Sequence, residues 1–577
     1  MSTSSGEGGG TTLGRWMPGV AALRGYHRKW LRSDVVAGLV LAAILVPQGM
    51  AYAELAGLPT VTGLYTTIAC LVGYAVMGAS RVLVLGPDSS VSPLIFAAIL
   101  PLGAADSPET AIALAGMLAI LTGLILIGIG VAKLGFVADL LSKEVQVGYM
   151  NGLGVTIIVG QLPKLFGFST NADNFVDEVK AFFANLDQTQ TTTLAVGIAT
   201  LAVLLVLPRV TRKLPAILIA IVGATVLSAV LELSAKGVDT VGALPKGLPT
   251  PQIPWTQLSD VGPLLLAAFG IALVSLTDTI ATATSFNARR GEEVRPDQEM
   301  VALGTANLAA GFFQGFSVST SGSRTAVAEQ SGSKSQLTGL VGAGMVAILL
   351  LFLNGLLADL PQTALAAVVI TAALSLMDFS ALARYWHVRR SALLLSVVAS
   401  LGVILFGVLE GILIAIVLSV FLFFRRSWWP HGAVLGRATD GTWHDVTGDI
   451  EVTQEPGTVV YRWEAPLFFA NAGMFHDQVR RLARAQHARW VVLQCEAITD
   501  IDVTAAEMLD QADQQLNATG VHLAFVELRG RLQELVLRYG LFETLDKDHF
   551  YPSIDAALAA IRSRETSQHS GTGAGDP

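Results

Sequence analysis

The chain has 577 residues, 52% of them apolar and only 14% charged, with a mean hydropathy of +0.57; soluble chains carry about 25% charged residues. A soluble protein of this length could not hide so much apolar surface, so the composition calls for a polytopic membrane protein. The net charge of −8 excludes a generally basic nucleic-acid binder, and Cys70 and Cys495, with no CxxC or Cys/His cluster, imply neither a disulfide framework nor a structural zinc site.

Residues 431–577 hold 33 charged side chains in 147 positions, whereas 34–430 hold 43 in 397. The expected organisation is a cytoplasmic segment 1–33, a transmembrane domain 34–430, a soluble domain 440–564 and a disordered Ser/Gly/Thr-rich tail 565–577. The first segment carries Arg15, Arg24, Arg28, Lys29 and Arg32 and lacks the apolar core and cleavage site of a signal peptide.

Stretches free of Asp, Glu, Lys and Arg then recur, among them 35–53, 55–80, 110–132, 145–163, 188–208, 261–277, 335–358 and 391–409. A spanning helix needs roughly 17–25 residues. Dividing 300–323 at its polar centre predicts 14 segments, two of which, near 87–104 and 320–333, are too short or polar for ordinary spans. With the N-terminus inside, 20 basic residues fall inside, including Arg81, Lys133, Lys143, Arg209, Arg212, Lys213, Arg289 and Arg290. Only Lys164, Lys180, Lys236 and Lys246 fall outside. This positive-inside bias places both termini in the cytoplasm of a multi-pass cell-membrane protein.

The two unusual segments contain Gly86-Pro-Asp-Ser-Ser90 and Ser319-Thr-Ser-Gly-Ser-Arg324, each polar, extended and followed by a short helix with Ser or Thr at the cap. Irregular backbone at membrane depth is tolerated where it is buried or lines a cavity. Paired interruptions in two halves point to a transporter site. Helix N-termini offer free N–H groups and partial positive charge to an anion. Ser89, Ser90, Ser321 and Ser323 would add hydroxyls, and Arg324 a full charge; otherwise the serines cap helices and Arg324 pairs with a buried carboxylate.

Gln48 and Tyr52 share one face of the first span and can line the same cavity, or Gln48 can bond a neighbouring helix. Asp278 ends a long apolar run and needs a partner or a proton. With Thr282 one turn on, it could coordinate sodium; it could also titrate in proton coupling, or pair with Arg324. Glu54, Glu144 and Glu410 sit at span ends, and Gly148-xxx-Gly152 predicts close helix packing. From Thr458 the pattern becomes β/α: strands 459–463, 490–494 and 522–526, with helices 470–484, 504–516 and 531–539.

The run Val46-Pro-Gln-Gly-Met-Ala-Tyr-Ala53, with Ala56-Gly-Leu-Pro59, Gly63-Leu-Tyr65, Gly86-Pro-Asp88, Gly148-Tyr-Met-Asn-Gly152 and Ser321-Gly-Ser-Arg-Thr325, resembles the sulfate permease (SulP) family of anion transporters. The departure is Thr62, where that signature often has Tyr. The resemblance implies a helical membrane protein of 14 segments in a seven-plus-seven inverted repeat, a core moving against a gate, a homodimer and a C-terminal STAS domain. It maps anion contacts onto Gln48, Tyr52, Ser89, Ser90, Ser323 and Arg324, and a sodium site onto Asp278 and Thr282. Thr504 falls where related STAS proteins are phosphorylated; as a plain helix cap it would need no such role.

The expected function is secondary active anion transport by alternating access, with no enzymatic activity. No GxxxxGK[ST] motif supports ATP-driven transport. Sulfate ranks first, then bicarbonate by sodium-coupled symport, then a dicarboxylate. The expected partners are the anion, membrane lipid and a second copy, with Na+ or H+ as coupling ion and no other cofactor. The reading from another class is an anion sensor that signals through its STAS domain without turnover.

Overall fold

The computed structural model describes residues 17–571 apart from 136–141, 171, 173, 212–214, 289, 291–292, 542–544 and 546. Arg15, Arg212, Lys213 and Arg289, counted above toward the inside bias, lie outside the described residues, as does the tail from 572. The chain divides into two units, Met1–Ser419 and Val420–Pro577.

In the first unit, α1 (Leu31–Leu55) and α2 (Thr60–Met77) lead into a two-residue strand, β1 (Leu85–Gly86), and a short helix, α3 (Ser92–Ile99). Then come α4 (Pro108–Val131), α5 (Lys143–Phe166), α6 (Phe175–Ala184), α7 (Thr191–Val210) and α8 (Ala216–Leu231). The same order returns in α9 (Val261–Ala288), α10 (Pro296–Phe312), β2 (Ser319–Thr320), α11 (Gly322–Gln330), α12 (Leu337–Phe352), α13 (Gln362–Leu376), α14 (Phe379–Val388), α15 (Arg390–Phe406) and α16 (Val408–Trp428), whose last residues, from Val420, belong to the second unit. With each strand counted with its short helix, and the ten-residue α6 and α14 set aside, each half contributes seven segments. Six helices among the described residues are long and apolar enough to cross a membrane, and five shorter ones are apolar.

Helices α6 and α14 lie outside the uncharged stretches named above. Their apolar residues recur at helical spacing, and each is started by a side-chain cap: Asn174 accepts from the Asp177 N–H at 3.0 Å and Asp378 from that of Ala381 at 2.9 Å.

Packing sorts the helices by position in the repeat rather than by half. One bundle combines α1, α2 and α4 with α9, α10 and α12, and the other combines α5 and α7 with α13 and α15. Gly148 and Gly152 explain one close approach: a Cβ there would meet the Ser396 and Ser400 carbonyl oxygens at 2.2 and 2.6 Å. The Ser400 hydroxyl donates to the Gly148 carbonyl at 2.7 Å across the same contact, so the expected tight packing is present.

Asp34, in the first turn of α1, is fully buried. Its carboxylate accepts from the Tyr26 hydroxyl at 3.1 Å, the Lys334 and Ser335 N–H groups at 2.7 and 3.2 Å, and the Ser335 and Thr338 hydroxyls at 2.8 and 3.0 Å. The buried charge is thereby satisfied, and α1 is fastened to the segment that enters α12.

The second unit is an α/β domain with sheet order β4-β3-β6-β7-β8-β9. Strand β3 is Gly432–Ala438, β4 Trp443–Asp445, β5 Val452–Thr453, β6 Thr458–Trp463, β7 Trp490–Gln494, β8 His522–Val526 and β9 Phe550–Tyr551; β5 pairs with β3. β6 to β9 run parallel and β3 antiparallel to β6. Alternation along the strands divides the core: Val459, Tyr461 and Trp463 pack with Phe475 and Leu509, while Val460, Val492 and Ala524 pack with Ile554, Leu558 and Ile561. The helices are α17 (Ala472–Ala485), α18 (Val503–Asn517), α19 (Gly530–Arg538) and α20 (Ile554–Gly571).

The sheet starts at Gly432, eight residues before the domain start expected at 440, because β3 supplies the antiparallel partner of β6. Helix α20 also runs past Arg564 into residues expected to be disordered, carried by the apolar face it packs on the sheet.

Candidate functional site

β1 and β2 pair antiparallel, Leu85 opposite Thr320 and Gly86 opposite Ser319. The pairing is extended by the Ser321 N–H to the Val84 carbonyl at 3.1 Å and the Val84 N–H to the Thr325 hydroxyl at 3.1 Å. The two interruptions therefore satisfy each other's backbone, which is how non-helical chain survives among apolar helices. Each strand leads into its short helix, so the N-termini of α3 and α11 flank one crossing.

Neither helix is capped as expected. Val91, not a serine, is the N-cap of α3, and Ser321, the N-cap of α11, makes no capping bond; its hydroxyl instead lies 3.1 Å from that of Ser323. Helices α4, α5, α6, α14 and α18 all carry side-chain caps. The first turn of α11 thus keeps donors that a side chain elsewhere consumes, whereas in α3 the Ser92 N–H donates to the Asp88 carbonyl at 3.0 Å and Pro93 has none to give, which leaves the Leu94 N–H.

Arg324, in the first turn of α11, is 1% exposed. Its Nη1 donates to the Pro87 carbonyl at 2.6 Å, and Nη2 lies 3.5 Å from Asp88 Oδ1. Its Nε and Nη2 have no hydrogen-bond partner among the described residues. Gly86 makes room for the guanidinium, since a Cβ there would sit 2.9 Å from Nη1. The buried-carboxylate partner of Arg324 is therefore Asp88; the alternative pairing with Asp278 is absent among the described ion pairs.

The remaining residues lie on α1, in the turn before α3 and at the start of α11. Tyr52 is buried on α1, where its hydroxyl bonds Ser89 within electrostatic reach of Asp88 and Arg324. Gln48, one turn earlier, is also buried, and its Oε1 has no hydrogen-bond partner among the described residues. Ser89 and Ser90 are buried, whereas Ser323 is exposed and Ser321 sits between it and the strand crossing.

Asp278, on α9, faces the same junction. The Ser90 hydroxyl lies 2.9 Å from Asp278 Oδ2 and 2.8 Å from Asp88 Oδ2. A hydroxyl has one proton, so it can donate to only one of two ionised carboxylates. A proton on one acid, or a cation beside them, resolves the arrangement. Thr282 lies on the same helix, its hydroxyl 3.9 Å from where a Cβ on Gly322 would stand.

Reading the sequence alone missed four contributing residues. Asp88 was visible in its motif but not identified as the partner of Arg324. Tyr149 on α5 lies within electrostatic reach of Asp278, and its hydroxyl has no hydrogen-bond partner among the described residues. Thr279 and Thr320 join α9 to β2 through hydroxyls 2.9 Å apart. The signals available were an acid immediately before a membrane-depth helix and a lone tyrosine in the Gly148–Gly152 face.

In the soluble unit Thr504 does not cap α18. Asp502 does, accepting from the Ala505 N–H at 2.8 Å, so Thr504 stands exposed in the first turn. Cys70 and Cys495 are free and buried; burial pushes the Cys495 thiol up to about 12.

The family model for the sulfate permease family matches residues 31–399, and that for the STAS domain matches 449–557. A probable sulfate transporter of Mycobacterium tuberculosis (strain ATCC 25618 / H37Rv) is 40% identical over 556 residues, covering 96% of this chain and 99% of the relative. Human solute carrier family 26 member 6 is 33% identical over 479 residues, 79% of this chain and 63% of its own length. The fold superimposes on murine Solute Carrier 26 family member A9, an anion transporter solved in the inward-facing state, with TM-score 0.87 and 22% identity over 97% of this chain and 96% of that one. Its membrane part also matches the transmembrane domain of a cyanobacterial bicarbonate transporter, at TM-score 0.60 and 22% identity over 69% of this chain and 98% of that one. The chain, with its paired interrupted helices and its C-terminal STAS domain, belongs to the sulfate permease family of membrane anion transporters.

Proposed function

We propose that the protein is a secondary active sulfate transporter working by alternating access, with sulfate held between the N-termini of α3 and α11. The observation that carries this is the buried guanidinium of Arg324 between two helix starts without side-chain caps, with Nε and Nη2 unpartnered among the described residues. A doubly charged oxyanion matches that set of donors: backbone N–H groups, the hydroxyls of Ser89, Ser321 and Ser323, and charge-assisted bonds from Arg324. Gln48 and Tyr52 close the site from α1. Sulfate is preferred among anions because the relative covering 96% of this chain carries that name.

Asp278 with Ser90 is the proposed coupling group, and Thr282 supplies a further oxygen one turn on. The coupling ion is Na+ or H+. The bundle of α1–α4 and α9–α12 acts as the core and the other as the gate, within a homodimer whose termini both face the cytoplasm. Thr504, exposed beside the α18 cap, is a candidate phosphorylation site.

Uptake of labelled sulfate into proteoliposomes, with imposed pH or sodium gradients in turn, tests the reading. Saturable uptake competed by unlabelled sulfate supports it, and the gradient that accelerates uptake names the ion. Binding without flux or counterflow would instead make the protein a sensor.

A further inference from the structure

The last membrane helix, α16, ends in Trp428, and Trp429 stacks on it with ring centroids 6.1 Å apart at 26°. In the second unit these two rings wall a groove of about 610 Å³ together with Phe469 and the Arg480, Arg481 and Arg484 side chains of α17. That volume lies in the range of small-molecule sites. Helix α17 has two faces. Phe475, Val479 and Ala483 enter the sheet core, while the three arginines occupy the face turned to the groove. Among the described residues none of the three arginines is ion-paired, and one acid, Asp477, shares the groove with them.

The aromatic wall is exposed: Phe469 by 69% and Trp429 by 60%. Exposed tryptophans at the end of a membrane helix favour the headgroup layer, where an amphipathic ring meets both apolar and wet surroundings. The apolar run of α16 closes at Phe424, so Trp428 stands about 6 Å further along the helix axis, at headgroup level. Arg425 and Arg426 follow that run directly. Basic residues gathered at the cytoplasmic end of a membrane helix recognise anionic lipid, and guanidinium groups such as those of Arg480, Arg481 and Arg484 match phosphate oxygens in pairs.

We propose that this groove binds the phosphodiester headgroup of an anionic phospholipid, with Arg480, Arg481 and Arg484 on the phosphate and Trp428, Trp429 and Phe469 against the glycerol and first acyl carbons. A free phosphate would use the arginines alone. A phospholipid also accounts for the exposed aromatic wall and for its place at the end of α16. The site ties the soluble domain's first helix to the composition of the membrane leaflet.

The test uses the full chain, delipidated in detergent, with bound lipid counted by native mass spectrometry after titration with phosphatidylglycerol, phosphatidylcholine or inorganic phosphate. Phosphatidylglycerol is expected to bind in preference to phosphatidylcholine. The triple variant Arg480→Gln/Arg481→Gln/Arg484→Gln is expected to weaken it about a hundredfold, from roughly fivefold per basic residue at an anionic surface. Should that variant not fold, the exposed single changes Arg481→Gln and Trp429→Ala each carry the test, with losses expected for both. Equal binding of the two lipids, full displacement by inorganic phosphate, or unchanged binding in the variants would overturn the proposal. So would a variant that loses only its dimeric state, which would assign the face to a second copy.

Discussion

Arg324 meets Asp88 at 3.5 Å in a fully buried junction of the membrane unit, whereas Arg562 clasps Glu455 on the soluble domain with two bonds of 2.7 Å. The better geometry lies where water screens it and its worth is small. The poorer geometry lies where a stray charge is costly. A buried guanidinium placed only for stability would be expected in the bidentate fork; Arg324 instead spends one nitrogen on a carbonyl and holds donors in reserve. The contrast separates an arginine that fastens from one that is kept available.

Breaking the buried pair should have the largest effect. Arg324→Gln is expected to abolish sulfate uptake and, by leaving Asp88 without its partner, to cost about 3–5 kcal/mol of stability. The double variant Asp88→Asn/Arg324→Gln should recover thermal stability in detergent but not uptake; recovered uptake would confine Arg324 to a structural role.

Asp278→Asn comes next. It is expected to remove the dependence of uptake on the coupling gradient while leaving equilibrium sulfate binding within about threefold, a difference of less than ~1 kcal/mol. Gradient-driven uptake that survives the change would move coupling to another group.

Gly86→Ala presses a methyl group to within 2.9 Å of Arg324 Nη1, and such overpacking costs about 1–3 kcal/mol. A raised KM with little change in expression is expected. Ser319→Ala, at the paired position of the other strand, should be near neutral in the same uptake assay.

The exposed pair gives the smallest effect. Arg562 holds the Glu455 carboxyl below its ordinary range. A carboxylate lowered on folding contributes stability that is present above about pH 4.3 and is lost as pH falls through the folded value. Glu455→Gln should therefore cost less than ~1 kcal/mol at neutral pH, shrink with salt, and vanish in acid when unfolding of the soluble domain is followed by circular dichroism.

Much of this was legible because it is written in local patterns. The strands at 490–494 and 522–526 appear where alternation placed them, and the breaks around Pro87 and Ser321 where hydrophobicity failed. Tyr52, Ser89, Ser90 and Arg324 lie together around Asp88. What escaped was long-range or masked by polarity. The bond from Arg324 to the Pro87 carbonyl spans 237 residues, and no spacing rule reaches that far. α14 hid because its exposed face carries charge, and β3 because a strand so close to the last membrane helix reads as linker. The cap of α18 went to Asp502 rather than Thr504 because both suit the position and only the backbone decides between them.

The five donors around Asp34 have a mechanical consequence. Asp34 belongs to the first repeat and Lys334–Thr338 to the second, so this latch sews the two repeats together inside one bundle. Spin labels at Ser33 and Gly332 should keep a fixed separation through a transport cycle, while labels on α1 and α13 should not. The sequence divides the fold into two halves end to end; its working parts are cut crosswise, each assembled from both.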